Sequence, residues 1–225
     1  GGRNGYGAKL ANIFSSEFSV TILDSDNKLK YTQKWETNMT VCHPPEITKY
    51  AGTASTVTIS FVPDWKRFGG MTRMDDAVYK IIEKRLWDAS ICTSAQCTVY
   101  FQNKKIKTIG TEAYARMYLD DDIQTWCHTS DRWSVVVAPS ASGNFEHVSF
   151  VNGISTTKGG EHIKHVSGMI AEGIVKDMEK KIKLRPQQVK DTLFVFVRCV
   201  LENPEFSSQI KSECTLKIKE FGSLF

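Results

Sequence analysis

Residues 193–200 read Leu-Phe-Val-Phe-Val-Arg-Cys-Val, apolar at every position but Arg198. A run rich in β-branched and aromatic residues without a polar alternate is a strand buried on both faces. Covering two faces takes helices, and a candidate stands upstream. Ile163, Val166, Ile170, Ile174 and Met178 are spaced by three and four and share one face of a long helix that follows Gly159-Gly160. Strand and helix together point to an α/β mixture.

The rest of the chain fits that class. Ala8 to Phe14 carries a short helical stripe of Leu10, Ile13 and Phe14. Phe18, Val20 and Ile22 alternate, a turn follows at 24–27, and Leu29, Tyr31 and Trp35 alternate again, which predicts a β-hairpin. Pro44-Pro45 interrupts the pattern, and Val57, Ile59 and Phe61 predict another strand. Residues 74–88 predict an amphipathic helix with Ala77, Val78, Ile81, Ile82 and Leu86 inward and Asp75 and Asp76 at its positive end. A strand is expected near Thr98 and Tyr100, a turn at 103–105 and a helix over 111–119. The polar stretch 120–131 reads as a boundary, and the two parts of the chain join between 105 and 131. Strands at 132–138 and 145–152 precede the long helix, and 201–217 reads as loop.

At 225 residues the chain holds one large or two small domains, and its net charge of +4 permits contact with a polyanion without requiring it. No apolar run reaches the roughly 18 residues of a membrane span. The opening lacks Met and a signal pattern and reads as the interior of a longer polypeptide. Six scattered cysteines form no Cys-x-x-Cys and read as reduced thiols.

Several clusters bear chemistry. Gly2-Arg3-Asn4-Gly5-Tyr6-Gly7-Ala8-Lys9 opens a helix. Glycines admit an anion to the backbone, and a helix start aims free N–H groups at it. The G-x-x-G-x-G spacing matches neither a dinucleotide fingerprint nor a Walker A loop, so a phosphate cradle and a purely structural turn both remain open. Gln209-Ile210-Lys211, on a loop after the buried strand, could aim an ammonium at a phosphate or simply be solvated. Lys180, Lys181, Lys183 and Arg185 around Ile182 suit a nucleic-acid backbone or an exposed helix end equally. His162 and His165 lie three apart without a third metal ligand and read as surface or core residues. Asp120-Asp121-Asp122 reads as a solvated loop, Cys127-His128 as neighbours that do not face each other, and Trp126 and Trp133 as packing residues.

Three segments, taken together, carry a resemblance. Residues 1–15 (GGRNGYGAKLANIFS) resemble the nucleotide-binding glycine motif of eukaryotic-type DNA topoisomerase II. Residues 150–160 (FVNGISTTKGG) resemble that family's F-V-N-S-I-A-T-T-K-G-G stretch, and 202–211 (ENPEFSSQIK) resemble its E-N-P-x-F-x-S-Q-T-K loop. Gly153, Ser155 and Ile210 stand where the family has Ser, Ala and Thr.

The resemblance implies an α+β chain. Residues 1–112 would be the C-terminal part of a GHKL ATP-binding domain, and 113–225 a transducer domain similar to a ribosomal S5-like fold, a sheet with helices on one side. It also implies ATP as ligand, wrapped by Gly2, Arg3, Asn4, Gly5, Tyr6, Gly7, Ala8 and Lys9. Lys211, helped by Gln209 beside Ile210, would reach the γ-phosphate. Lys180, Lys181, Ile182 and Lys183 fall where the family has a longer DNA-touching loop. The implied partners are double-stranded DNA and a second protomer, and the implied compartment is the nucleus. The family's water-activating glutamate, its Mg2+-holding asparagine and its adenine-contacting acid all precede the glycine motif. These 225 residues are therefore expected not to hydrolyse ATP alone. Two other readings stay open: a non-catalytic DNA-binding or dimerisation module on this fold, and a GHKL ATPase of the mismatch-repair or chaperone kind.

Overall fold

Asp24 reverses the chain through its carboxylate. Its Oδ1 accepts from the N–H groups of Asp26 and Asn27, each at 3.0 Å, and its Oδ2 accepts from the Asn27 side chain at 2.7 Å. This Asx turn joins β1 (Ser15–Asp24) to β2 (Leu29–Glu36), with Asp24 opposite Leu29 and Phe18 opposite Trp35. The computed structural model describes residues 5–94, 96–106, 110–222 and 225. Over these it divides into two compact units, Gly1–Tyr79 and Lys80–Phe225.

In the first unit, α1 (Tyr6–Ile13) leads into β1. Two short strands that the sequence did not signal, β3 (Val41–Cys42) and β4 (Glu46–Lys49), flank Pro44-Pro45 and both pair with β2. β5 (Thr56–Pro63) pairs with the other edge of β1, which gives the order β3-β2-β1-β5. Buried Phe18 stacks on Phe61 and meets Trp35 edge-on. The Asn38 side chain donates to Ile13 O, Ser15 O and Asp64 Oδ2, which ties the end of α1 to the stretch after β5. The stripe expected on α1 is not buried: Leu10 and Ile13 are exposed and Asn12 is the buried residue.

Helix α2 (Asp76–Cys92) starts where expected, with Asp75 Oδ1 accepting from Val78 N at 2.8 Å. Its expected inward face is not the buried one. Ile81 and Ile82 are exposed, and the contacts come from the last turns, where Ile91 packs with Tyr114 and Phe150. β6 (Val99–Phe101) and β7 (Lys104–Ile106) form a hairpin. Its turn sits at Gln102-Asn103, one residue earlier than expected, with both residues in the left-handed region.

The second unit is built on the sheet β11-β10-β13-β9-β8. These strands are β8 (Trp126–Thr129), β9 (Trp133–Pro139), β10 (Glu146–Val151), β11 (Ile154–Ser155) and β13 (Leu193–Cys199). The 120–131 stretch thus contains an edge strand, hidden from the pattern because all four residues of β8 are exposed. β13 is central as predicted, parallel to β10 and antiparallel to β9. Leu193, Val195, Val197 and Cys199 face helix α4 (Glu161–Met178) in one core, while Phe196 joins Ala115 and Val136 in another with Phe194 packed against it. The second core rests on α3 (Gly110–Arg116), so helices cover both faces of this sheet rather than one. The two compact units meet at Tyr79/Lys80 along the chain.

On α4 the predicted stripe is buried at Ile163 and Val166 and opens toward Ile174. There Ile170, Ile174, Trp126, Val137 and Phe225 line an apolar cavity of about 520 Å³. After α4, α5 (Pro186–Lys190) is a short helix that Pro186 opens, its fixed φ suiting the first helical position. The 201–217 stretch is not all loop. β14 (Glu213–Cys214) pairs in parallel with β12 (Gly159–Gly160).

Phe196 stacks on Phe194 at 4.4 Å and meets Tyr118 edge-on at 5.6 Å, 1% exposed. Replacing it by alanine should cost about 3–5 kcal/mol. Urea denaturation would read this as a lower midpoint at an unchanged slope.

Candidate functional site

The glycine motif belongs to the first unit and Gln209-Ile210-Lys211 to the second. Gly2, Arg3 and Asn4 lie outside the described residues. Gly5 precedes α1 with φ 66° and ψ 13°, a left-handed conformation that glycine adopts without cost. The first turn of α1 has neither a side-chain cap nor an acidic residue, so nothing in the helix neutralises its positive end. A Cβ at Gly7 would meet nothing within 4 Å. Tyr6, Ala8 and Lys9 are exposed. Among the described residues, nothing lies against this helix start.

In the second unit, the loop bearing Lys211 is closed at its base. Phe206 bridges to Cys214, Ser207 N donates to Glu213 O at 3.1 Å, and Thr215 N donates to Glu205 O at 2.9 Å. At the tip Lys211 N donates to Ser208 O at 3.0 Å, and Lys211 itself has φ 61°. A non-glycine residue in that region is sparse and needs its surroundings to hold it there. Gln209 is exposed and Ile210 is 86% exposed, so the isoleucine in the loop is displayed to solvent.

The surroundings that hold the loop come from residues 149–162, and sequence reasoning did not assign them. Asn152, at φ 50°, donates from Nδ2 to Leu201 O at 2.9 Å and accepts at Oδ1 from Leu201 N at 2.8 Å. A side-chain amide thereby acts as one more rung after the β10–β13 pairing, at the point where the loop segment leaves the sheet. On the far side Lys158 N donates to Ser212 O at 2.8 Å, and Gly159 and Gly160 pair with Glu213 and Cys214. Gly160 has φ 132°, and a Cβ there would lie 2.0 Å from Cys214 O. Only glycine allows the two backbones to come this close.

Behind this clamp lies a buried polar chain. Thr156 Oγ1 is 3.1 Å from His162 Nε2 and 2.6 Å from Ser149 Oγ, and Ser149 Oγ donates to Thr156 O at 3.1 Å. Thr156 and His162 are both 0% exposed. Among the described residues His162 Nδ1 has no hydrogen-bond partner. The network therefore assigns the proton to Nε2, since a bare lone pair is cheaper to bury than an unpaired N–H. Burial first, then the neighbouring His147, pushes the His162 pKa down from 6.5 to about 3. His165, three residues on, packs edge-on against Phe221 instead, so the two histidines do not form a pair.

The remaining candidates are spread apart. Lys180, Lys181, Ile182, Lys183 and Arg185 are all exposed on the turn between α4 and α5. Asp120, Asp121 and Asp122 are exposed in a turn, and the His128 ring packs on Phe225. Trp133 is buried in the core, whereas Trp126 is 56% exposed and lines the apolar cavity. The described cysteines are free, and burial pushes the Cys92 thiol up to about 11 and the Cys199 and Cys214 thiols up as well. None of these three is activated as a nucleophile.

A family model described as DNA gyrase B matches residues 97–220. DNA topoisomerase 2 of Candida glabrata is 38% identical over 99% of this chain. The chain spans 17% of that relative's length. The crystal structure of the ATPase region of Saccharomyces cerevisiae topoisomerase II matches with a TM-score of 0.91 at 38% identity, covering 100% of this chain and 58% of that one. The ATPase and transducer domains of DNA topoisomerase II from Balamuthia mandrillaris match with a TM-score of 0.93 at 33% identity, again over 100% and 58%.

Two outcomes follow from the clamp and the histidine. Gly160→Ala should destabilise the second unit by more than the roughly 1–3 kcal/mol of backbone strain alone, because Cys214 must also move; chemical denaturation measures this. Because the folded His162 pKa lies below the unfolded one, its neutral form contributes fully above about pH 6.5, and that contribution is lost as pH falls toward about 3. Thermal melts stepped down through that window should fall in wild type and fall less in His162→Gln, which keeps a donor but does not titrate.

Proposed function

The chain belongs to the DNA gyrase B family, and on that premise we propose that it forms the phosphate-binding and transducing part of a type II DNA topoisomerase ATPase region. The division at 112/113, with the GHKL part before it and the transducer after it, belongs to this reading. Arg3 to Lys9, following Gly2, cradle the ATP phosphates through the backbone at the start of α1. Lys211 contacts the γ-phosphate, with Gln209 beside it. ATP binding then favours closure of two protomers around a DNA duplex, and hydrolysis releases the lysine.

The observation that carries the reading is the loop itself. Lys211 stands near the tip of a loop closed at its base, in a backbone conformation fixed by its neighbours, next to an exposed Gln209. A point charge so held recognises a terminal phosphate with little further ordering. A ligand shifts a conformational equilibrium only through contacts that differ between its states, and the γ-phosphate supplies that difference. Exposed Lys180, Lys181, Lys183 and Arg185 suit sequence-independent contact with duplex DNA through its phosphates. Among the described residues no cluster of three or more His, Cys, Asp or Glu is arranged to hold a metal. The compartment proposed with this function is the nucleus.

Sedimentation of the full-length protein tests this. A non-hydrolysable ATP analogue should drive dimer formation, and Lys211→Ala should raise the analogue concentration required by about tenfold or more, as expected for losing a charged hydrogen bond. A wild-type protein that binds no nucleotide and stays monomeric would overturn the reading. Salt-dependent duplex binding through 180–185, indifferent to nucleotide, would then identify a DNA-binding module instead.

A further inference from the structure

We propose that the buried Ser149–Thr156–His162 chain is a positioning network that sets where Lys211 stands, so that these residues govern discrimination of ATP from ADP without touching nucleotide. This rests on the reading of Lys211 as the γ-phosphate contact.

The connection is short and made of backbone. Thr156 N donates to Ser149 O at 2.8 Å and Gly159 N donates to Thr156 O at 2.8 Å, which closes the turn 156–159 on the end of β10. The residue before Gly159, Lys158, donates its N–H to Ser212 O, and Ser212 follows Lys211 directly. Any rotation of the 156–159 turn is therefore passed to the loop through a backbone hydrogen bond and the adjoining β12–β14 pairing. No flexible side chain intervenes to absorb it.

The side chains behind the turn tie it to its neighbours. With the His162 proton on Nε2, that N–H donates to Thr156 Oγ1 and the Thr156 hydroxyl donates on to Ser149 Oγ. The Ser149 hydroxyl then faces Thr156 O at 3.1 Å and His147 Nδ1 at 3.4 Å. His162 sits in the first turn of α4, Ser149 on β10 and Thr156 between them. The chain thus references the turn to both the helix and the sheet. These groups are wholly or almost wholly buried, in a place where apolar side chains of the same shape would pack without the cost of desolvating hydroxyls and an imidazole. What polar groups add there is a fixed geometry, since a half-satisfied network is penalised in any other arrangement.

The test compares affinity for a non-hydrolysable ATP analogue with affinity for ADP in the full-length protein. Thr156→Val and Ser149→Ala should each weaken the analogue by about five- to tenfold, the loss expected when one buried hydrogen bond no longer fixes the contact, and leave ADP affinity unchanged. Thr156→Ser, which keeps the hydroxyl, should restore the preference. Equal weakening of both nucleotides, or none in a protein that still unfolds cooperatively, would overturn the proposal and leave the network a packing feature. Should Thr156→Val fail to fold, Ser149→Ala decides, since it deletes a single hydroxyl. Lys211→Ala measured alongside separates the two ideas. If it abolishes the preference while Thr156→Val and Ser149→Ala do not, only the positioning role is lost. If it leaves the preference intact, the γ-phosphate reading fails and takes the positioning role with it.

Discussion

No side chain fits at residue 160, where the backbone of Gly160 lies against that of Cys214. This approach decides how the second unit is assembled. Gly160 is at once the residue that caps α4, the end of the turn from β10, and the partner of β14. Helix, sheet and loop therefore meet through main chain, with hydrogen bonds of fixed length and direction. Asn152 performs the matching task where the loop segment leaves the sheet, using a side-chain amide in place of a peptide. A loop held at both ends in this way moves with its supports.

The interior around these contacts is kept free of charge. His162 stays neutral through burial, and burial likewise holds the Cys92, Cys199 and Cys214 thiols protonated. In a medium of low dielectric an uncompensated charge would cost far more than it does at the surface. The cations Lys180, Lys181, Lys183 and Arg185 are instead exposed, where a phosphate partner can reach them and salt can screen them. Lys211 is intermediate, partly shielded yet at the edge of an exposed loop tip. That position strengthens its field without the full desolvation cost.

How much of this could be read from the chain depended on what carried the signal. β13 and α4 were legible because hydrophobic periodicity records burial, and both are buried where the pattern is strongest. β8 was hidden because an exposed edge strand has no apolar alternation to show, and β14 because two residues pair through backbone alone. α2 misled for the opposite reason. Its apolar stripe at Ile81 and Ile82 is real, but among the described residues nothing covers it, and the contacts that matter come from Ile91 and the buried Asp88 held by Tyr114. The same holds for Leu10 and Ile13 on α1 and for Val57, Ile59 and Phe61 on β5, all exposed. Periodicity says which face a residue would bury, not what lies opposite. For the site, the family resemblance singled out three segments without saying why they travel together. Asn152, Thr156, His162 and Gly160 give the reason: they bind the F-V-N stretch to the loop of Lys211, through backbone geometry that leaves little trace in composition.

The physical argument for such wiring is one of cost. A lysine at the end of a freely moving loop loses side-chain freedom worth up to about 2 kcal/mol when it grips a phosphate, and more for each backbone residue that orders with it. That loss would consume much of what a charged hydrogen bond returns, roughly 1.5–3 kcal/mol. Setting Lys211 at φ 61° on a loop closed at its base transfers the backbone part of that ordering to the folding of the unit. On the proposed reading, a contact with a terminal phosphate then bears only the side-chain part of the cost. Discrimination between two ligands that differ by one phosphoryl group is set by that difference. On the proposed reading, the rigidity of the clamp is therefore part of the switch: the stiffer the support beneath Lys211, the more of the γ-phosphate's binding energy would distinguish the two states.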